Sequence, residues 1–171
     1  MTCHGLGAPG GGLSEWTAVD QRMLHRVPEG IDAVRAALVE PMSVAFRGVR
    51  LGRPRPGSCA VVLGAGQIGL ALTGRGGRFV TLAAYAEAVA YDPTEIMMRE
   101  IEIVSSFSTC GEFSQVLAHL QAGRYPLEGW VERVPFDAQV AAYERLRQGT
   151  AMKVLIDVAP PPGSVGRANA P

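Results

Sequence analysis

The sequence predicts an α/β fold with a mostly parallel sheet, and three observations carry that prediction. From residue 59 onward, apolar strand-like runs alternate with helix-like runs, the order that builds strand–helix–strand units. The run "CAVVLGAG" (59–66) is continuously apolar, as a strand buried on both faces should be, and it runs straight into glycine. Helix punctuation falls at the expected places, with Pro93 opening one helical stretch and Gly123 and Gly149 closing two others.

In chain order, residues 1–12, "MTCHGLGAPGGG", are too glycine-rich to hold regular structure. "LSEWTAVD" (13–20) alternates as a strand does, and "MLHRVPEG" (23–30) reads as a second short strand ending in a turn at Pro28 to Gly30. Ile31 to Leu51 carries apolar residues at helical spacing, and Pro41 predicts two helices that meet at Glu40 and Pro41. "RPRPGS" is a turn leading into the 59–66 strand. "GGRFVTLAAY" (76–85) is the next strand, "DPTEIMMRE" a short helix entered through Pro93, and "IEIVSSFS" (101–108) a third strand. "GEFSQVLAHLQAG" is an amphipathic helix, "WVERVPF" a short strand, "DAQVAAYERLRQG" a helix capped by Asp137, and "AMKVLIDV" (151–158) the last strand. "APPPGSVGRANAP" (159–171) is expected to be a loose, disordered tail.

With 171 residues, 47% of them hydrophobic, the chain is expected to be one soluble globular unit. Acidic and basic residues balance to a net charge of zero, with no basic run, so neither nucleic acid nor an anionic membrane is an expected partner. Cys3, Cys59 and Cys110 are odd in number and widely spaced, which argues against a disulfide scaffold and for a reducing compartment. No apolar run approaches the roughly 18 residues that span a bilayer, and no leader pattern is visible, so a cytoplasmic protein acting on a small molecule is the expectation.

Gly64, Gly66 and Gly69 form G-x-G-x-x-G directly after a strand, with Gln67 and Ile68 between the last two glycines. The first glycine permits the tight turn, the second lets backbone approach a pyrophosphate, and the third lets helix pack on strand. A bound anion would sit on the free N–H groups of the helix start. The alternative is a glycine turn that binds nothing. A dinucleotide site also needs an acid about 20 positions on to hold the ribose, and Glu87 qualifies by spacing alone. The stretch between Gly64 and Gly77 barely supplies the roughly 10–12 residues of a crossover. "TGRGG" leaves only "QIGLAL" to be helical, and the second half of a nucleotide-binding unit is not there.

The segments "GGGLSEW", "LVEPMSVAFRGVR", "VVLGAGQIGL", "GGRFVTLAAY", "REIEIVSSFSTCGEFSQVLAHLQAGR" and "VPFDAQVAAYERLRQGTAMKVLID" resemble, in order, the zinc-dependent medium-chain alcohol dehydrogenases. The similarity is greatest to the polyol branch with butanediol and sorbitol dehydrogenases, and it covers most of the chain up to Asp157. The resemblance implies a partial Rossmann-like, mostly parallel sheet with a small β remnant of a GroES-like domain at the N-terminus. Residues 1–30 would be that remnant, 31–57 linking helices, and 58–158 an incomplete cofactor-binding domain. Two family blocks have no counterpart: the segment bearing the zinc cysteine and the His-Glu pair, and, between Leu72 and Gly74, the rest of the phosphate helix with the ribose acid and two further strands. The chain therefore reads as N-terminally truncated and internally deleted, and Glu87 is not the ribose acid.

Position by position, the resemblance implies that Glu40 matches a glutamate that approaches or ligates zinc in the polyol branch. A catalytic zinc takes three protein ligands with one position open, so Glu40 alone is insufficient. His4 and His25 do not match the family's zinc histidine and read as solvent or turn residues; Cys3 reads as a bystander. Gly64, Gly66 and Gly69 match the pyrophosphate loop. Leu82, Ala83 and Ala84 match a strand end whose backbone faces the nicotinamide, and Phe107 matches its neighbour. Lys153 matches a basic residue that helps hold the cofactor phosphates, or is a solvated charge near a strand end.

Two functions from different classes follow. One is an NAD- or NADP-dependent, zinc-assisted oxidoreductase interconverting a secondary alcohol or diol and its ketone, without turnover by this isolated chain. The other is a noncatalytic remnant that binds nucleotide weakly or pairs with a full-length paralogue or a second copy through a retained sheet edge. A binding module with a new role has no positive feature in the sequence.

Overall fold

The computed structural model describes residues 12–13, 17–57, 70, 72–82, 88–127, 129 and 131–158. The chain divides into two units, Val27–Arg124 and Met1–Arg26 with Tyr125–Pro171.

In the Val27–Arg124 unit, Asp32 opens α1 (Ala33–Ala37) by accepting the Arg35 N–H at 2.8 Å. The chain breaks at Leu38 and continues as α2 (Val39–Gly52). The break was expected at Glu40 and Pro41, but Pro41 lies inside the first turn of α2. The N–H groups of a first turn have no intrahelical partner, so proline costs nothing there. The Met42 N–H, one residue later, makes a helical bond to the Leu38 carbonyl at 3.0 Å. Two short strands follow, β1 (Arg78–Thr81) and β2 (Glu102–Ser105), parallel and in register from Arg78 opposite Glu102 to Thr81 opposite Ser105. They are joined by a connection that includes α3 (Pro93–Met98), whose N-cap Asp92 accepts the Thr94 N–H at 2.8 Å.

Behind β1, buried Leu70, Phe79 and Ile101 form a cluster with Tyr91 and Ile96 packed against it, the Phe79 and Tyr91 rings meeting edge to face at 6.3 Å. Helix α4 (Phe113–Gln121) buries Val116, Leu117 and Leu120 and packs on α2, where Phe46 meets His119 edge to face at 5.4 Å. Gly123, at φ 66°, closes α4 as the sequence predicts, in the left-handed region that glycine enters without cost.

In the other unit, β3 (Glu132–Pro135) pairs in parallel with β4 (Val154–Asp157), and α5 (Gln139–Arg147) connects them. Buried Val134 and Ala142 anchor strand and helix. Arg133 bonds Asp157 at 2.7 Å and Arg145 bonds Glu132 at 2.5 Å. Asp137 is not the helix cap that the sequence predicts. A 3₁₀ turn, Phe136–Ala138, precedes α5 and takes Asp137 into its interior, so Ala138 occupies the cap position with no side-chain bond.

The α/β class and the parallel pairing stand, with the described strands forming two separate two-stranded sheets. The strands expected at 13–20 and 23–30 are not present in the described residues. Asp20 instead caps a 3₁₀ turn, Gln21–Met23, accepting the Arg22 N–H at 2.9 Å. A short acidic side chain that captures a backbone N–H two residues on competes directly with strand pairing, and Pro28 has no N–H to give a ladder. The turn at Pro28 to Gly30 is present, with Gly30 at φ 87°.

Candidate cofactor-side site

The β1–β2 pair ends in a common edge. Beyond the last paired residues, the Ser106 N–H donates to the Thr81 carbonyl at 2.9 Å and the Thr81 hydroxyl donates to the Ser105 hydroxyl at 3.0 Å. Register therefore carries Leu82 and Phe107 to the same carboxyl end of the pair. Both are open to solvent, Leu82 at 37% and Phe107 at 69%. In open α/β sheets, ligands bind outside the carboxyl ends of the strands, and these two exposed apolar side chains stand at that end of the pair. Ser106 beside them is buried, and its hydroxyl has no hydrogen-bond partner among the described residues.

Helix α2 supports this edge at one point. A Cβ added at Gly48 would stand 2.6 Å and 2.8 Å from the two methyl carbons of Leu82, so the absence of a side chain at Gly48 is what admits Leu82 against the helix. Glu40 is exposed in the first turn of the same helix. It lies roughly 12 Å from Gly48 along the axis, at 1.5 Å per residue. Among the described residues, no three His, Cys, Asp or Glu side chains converge as a metal site. Lys153, in the other unit, is half-buried just before β4, and its carbonyl accepts the Glu132 N–H at 3.0 Å. Gly64, Gly66, Gln67, Ile68, Gly69, Ala83, Ala84 and Glu87, with Cys3, His4 and the strand expected at 59–66, lie outside the described residues. His25 is exposed.

One cluster escapes the sequence reading. The Glu112 side chain, 1% exposed, precedes α4, and its Oε1 accepts Nη1 of both Arg47 and Arg50 at 3.2 Å. Its Oε2 accepts the Cys110 N–H at 2.5 Å. Burial pushes this carboxyl up, but the hydrogen bonds from the Cys110 N–H, Arg47 and its own N–H outweigh burial and hold it below its ordinary value. Two arginines one turn apart on α2 were the available signal; the carboxylate more than 60 positions away was not foreseeable from spacing.

No protein-family profile matches the chain. By sequence it is 49% identical over 65 residues to a 2-dehydro-3-deoxy-L-galactonate 5-dehydrogenase of Pseudoalteromonas atlantica, a match covering 38% of this chain and 19% of that protein. It is 42% identical over 66 residues to an (R,R)-butanediol dehydrogenase of Bacillus subtilis, covering 39% of this chain and 19% of that one. The matched part thus spans about a fifth of the length of these relatives. The fold is shared with a crystal structure of a short chain alcohol dehydrogenase from E. coli CFT073 complexed with the cofactor NADH, at a TM-score of 0.72 and 14% identity over 86% of this chain and 65% of that one. The α/β fold with parallel strand pairing is what this structural likeness shows. By sequence the chain is related to the zinc-type alcohol dehydrogenases of the butanediol and polyol branch.

Proposed function

We propose that these residues form the nicotinamide-nucleotide side of a dehydrogenase for secondary alcohols or diols, and that by themselves they bind the cofactor without turnover. The observation that carries the reading is the 49% identity to a 2-dehydro-3-deoxy-L-galactonate 5-dehydrogenase together with 42% to an (R,R)-butanediol dehydrogenase. A nicotinamide, when bound, supplies the hydride acceptor. The chain's own share is positional. Gly64, Gly66 and Gly69, which match a pyrophosphate loop by sequence, are the phosphate positions of this reading, and the exposed Leu82 and Phe107 are its apolar contact for one face of the ring. Leu82 is held there by the close approach of Gly48. With Glu40 the one position matching a metal ligand, these residues contribute too few donors for a catalytic zinc.

Thermal unfolding with and without NADH tests the reading. At 100 times its dissociation constant, a ligand specific to the folded state adds about 2.7 kcal/mol, which raises Tm by roughly 5–11 °C for a chain of this size. The expected result is that rise, with no NADH production from 2,3-butanediol and NAD. A cooperative transition indifferent to millimolar NADH would refute the binding, and steady turnover would refute the lack of chemistry.

A further inference from the structure

The C-terminal end of α2 gathers more positive charge than its fold requires. Arg47, Arg50, Leu51, Arg53 and Glu112 line a recess of about 220 Å³. Three guanidinium groups there face one carboxylate and a helix end worth about half a negative charge. Both oxygens of Glu112 are already engaged in this geometry, Oε1 by Arg47 and Arg50 together and Oε2 by the Cys110 N–H. Each guanidinium has five N–H donors, and Glu112 uses one from Arg47 and one from Arg50. Arg47 Nε is shut off from solvent and has no acceptor among the described residues, an arrangement that costs free energy until an acceptor arrives. Arg53 is exposed and is held at φ 48°, in the left-handed region that a non-glycine residue enters at a cost. Its side chain forms no ion pair among the described residues.

We infer that this recess binds a small tetrahedral oxyanion, a free phosphate or the phosphate group of a small metabolite, held by Arg47, Arg50 and Arg53, with Glu112 orienting the first two. The volume is below the roughly 300–1,000 Å³ of pockets for drug-sized ligands, which excludes a whole dinucleotide and suits a single phosphate group. Guanidinium forks match phosphate oxygens in pairs, and the buried carboxylate keeps Arg47 and Arg50 from collapsing onto solvent-facing partners.

The test is calorimetric titration of the full chain with inorganic phosphate at low ionic strength, alongside the Arg53→Gly, Arg50→Gln and Gly66→Ala variants. Saturable phosphate binding in the millimolar range is expected, with acetate silent at the same ionic strength. Arg53→Gly and Arg50→Gln should each weaken binding at least fivefold, and Gly66→Ala should leave it unchanged. Arg53→Gly also serves as the folding control, because glycine suits the left-handed position and its Tm should not fall. Absence of phosphate binding by the parent chain overturns the inference. So does binding that survives in Arg53→Gly, or that disappears in Gly66→Ala alone, which would assign the anion to the glycine loop.

Discussion

Replacing Glu112 by glutamine perturbs one oxygen and little else. The side chain is 1% exposed, with its two oxygens committed to different donors: Arg47 and Arg50 on one side at 3.2 Å, and the Cys110 N–H on the other at 2.5 Å. Glutamine has a single acceptor oxygen. Turned toward the arginines it sets its NH₂ against the Cys110 N–H, and turned toward Cys110 it sets the NH₂ against two guanidinium groups. Either choice leaves a buried donor unpaired, which costs about 1–3 kcal/mol. Breaking an enclosed ion pair costs about 3–5 kcal/mol. Arg47 is 27% exposed and Arg50 55%, so water recovers part of that loss. The expected cost is about 2–3 kcal/mol, a fall in Tm of roughly 4–12 °C at 2–4 °C per kcal/mol, read by calorimetry or circular dichroism at pH 7. Acid supplies a second readout. The folded carboxyl titrates below 4.5, its ordinary value, so the unfolded chain binds the proton first as pH falls. The stabilisation is complete above the ordinary carboxylate range and is lost as pH falls through the folded value. That component of the acid slope should vanish in Glu112→Gln. A variant that melts within about 1 °C of the parent and follows the same acid slope would show that the ionised carboxylate contributes nothing.

Two smaller changes follow from backbone geometry. Arg53→Gly relieves a left-handed residue at φ 48° at the end of α2 and should raise stability by about 0.5–1 kcal/mol, measured by urea unfolding; a lower midpoint would show that the arginine side chain matters more than the strain. Gly48→Ala gains about 1 kcal/mol of helix propensity but forces the Leu82 methyls away from 2.6 Å and 2.8 Å. Stability should therefore change by less than about 1 kcal/mol while the NADH-induced rise in Tm shrinks; an undiminished rise would remove Leu82 from the site.

The fold was legible in the sequence where local signals act alone. Asp92 followed by Pro93 predicts the start of α3, and Gly123 the end of α4, because caps and left-handed stops are chemistry within a few residues. Pro41 misled because proline breaks a helix only beyond its first turn, and where that turn begins was decided by the break at Leu38. The alternation in "LSEWTAVD" predicted a strand, but alternation says only which face would be apolar. It does not provide a neighbour to pair with, and Asp20 found a local bond instead. Register brought Leu82 and Phe107 to one end of the strand pair, whereas Gly48 gave no sign of its role. A glycine in a helix reads as a cost until the chain that fills the space above it is known.

That space also connects stability to the proposed binding. Arg47 and Gly48 are adjacent on α2; one holds Glu112, the other receives Leu82. Glu112 in turn holds the Cys110 N–H, and so ties down the short segment that leaves β2 through Ser106 and Phe107. Both ends of the exposed edge thus meet one helix: Leu82 where Gly48 has no side chain, and the segment after Phe107 through the Cys110 N–H that Glu112 holds. Loosening these contacts should cost ligand affinity as well as stability. In Glu112→Gln the rise in Tm at a given NADH concentration should fall below that of the parent even after the lower starting Tm is allowed for. Arg53→Gly, on the same helix but outside these contacts, should keep the parent's rise. Equal NADH responses in all three proteins would mean that the edge is positioned by the strand pair alone and that the ion pair serves only the fold.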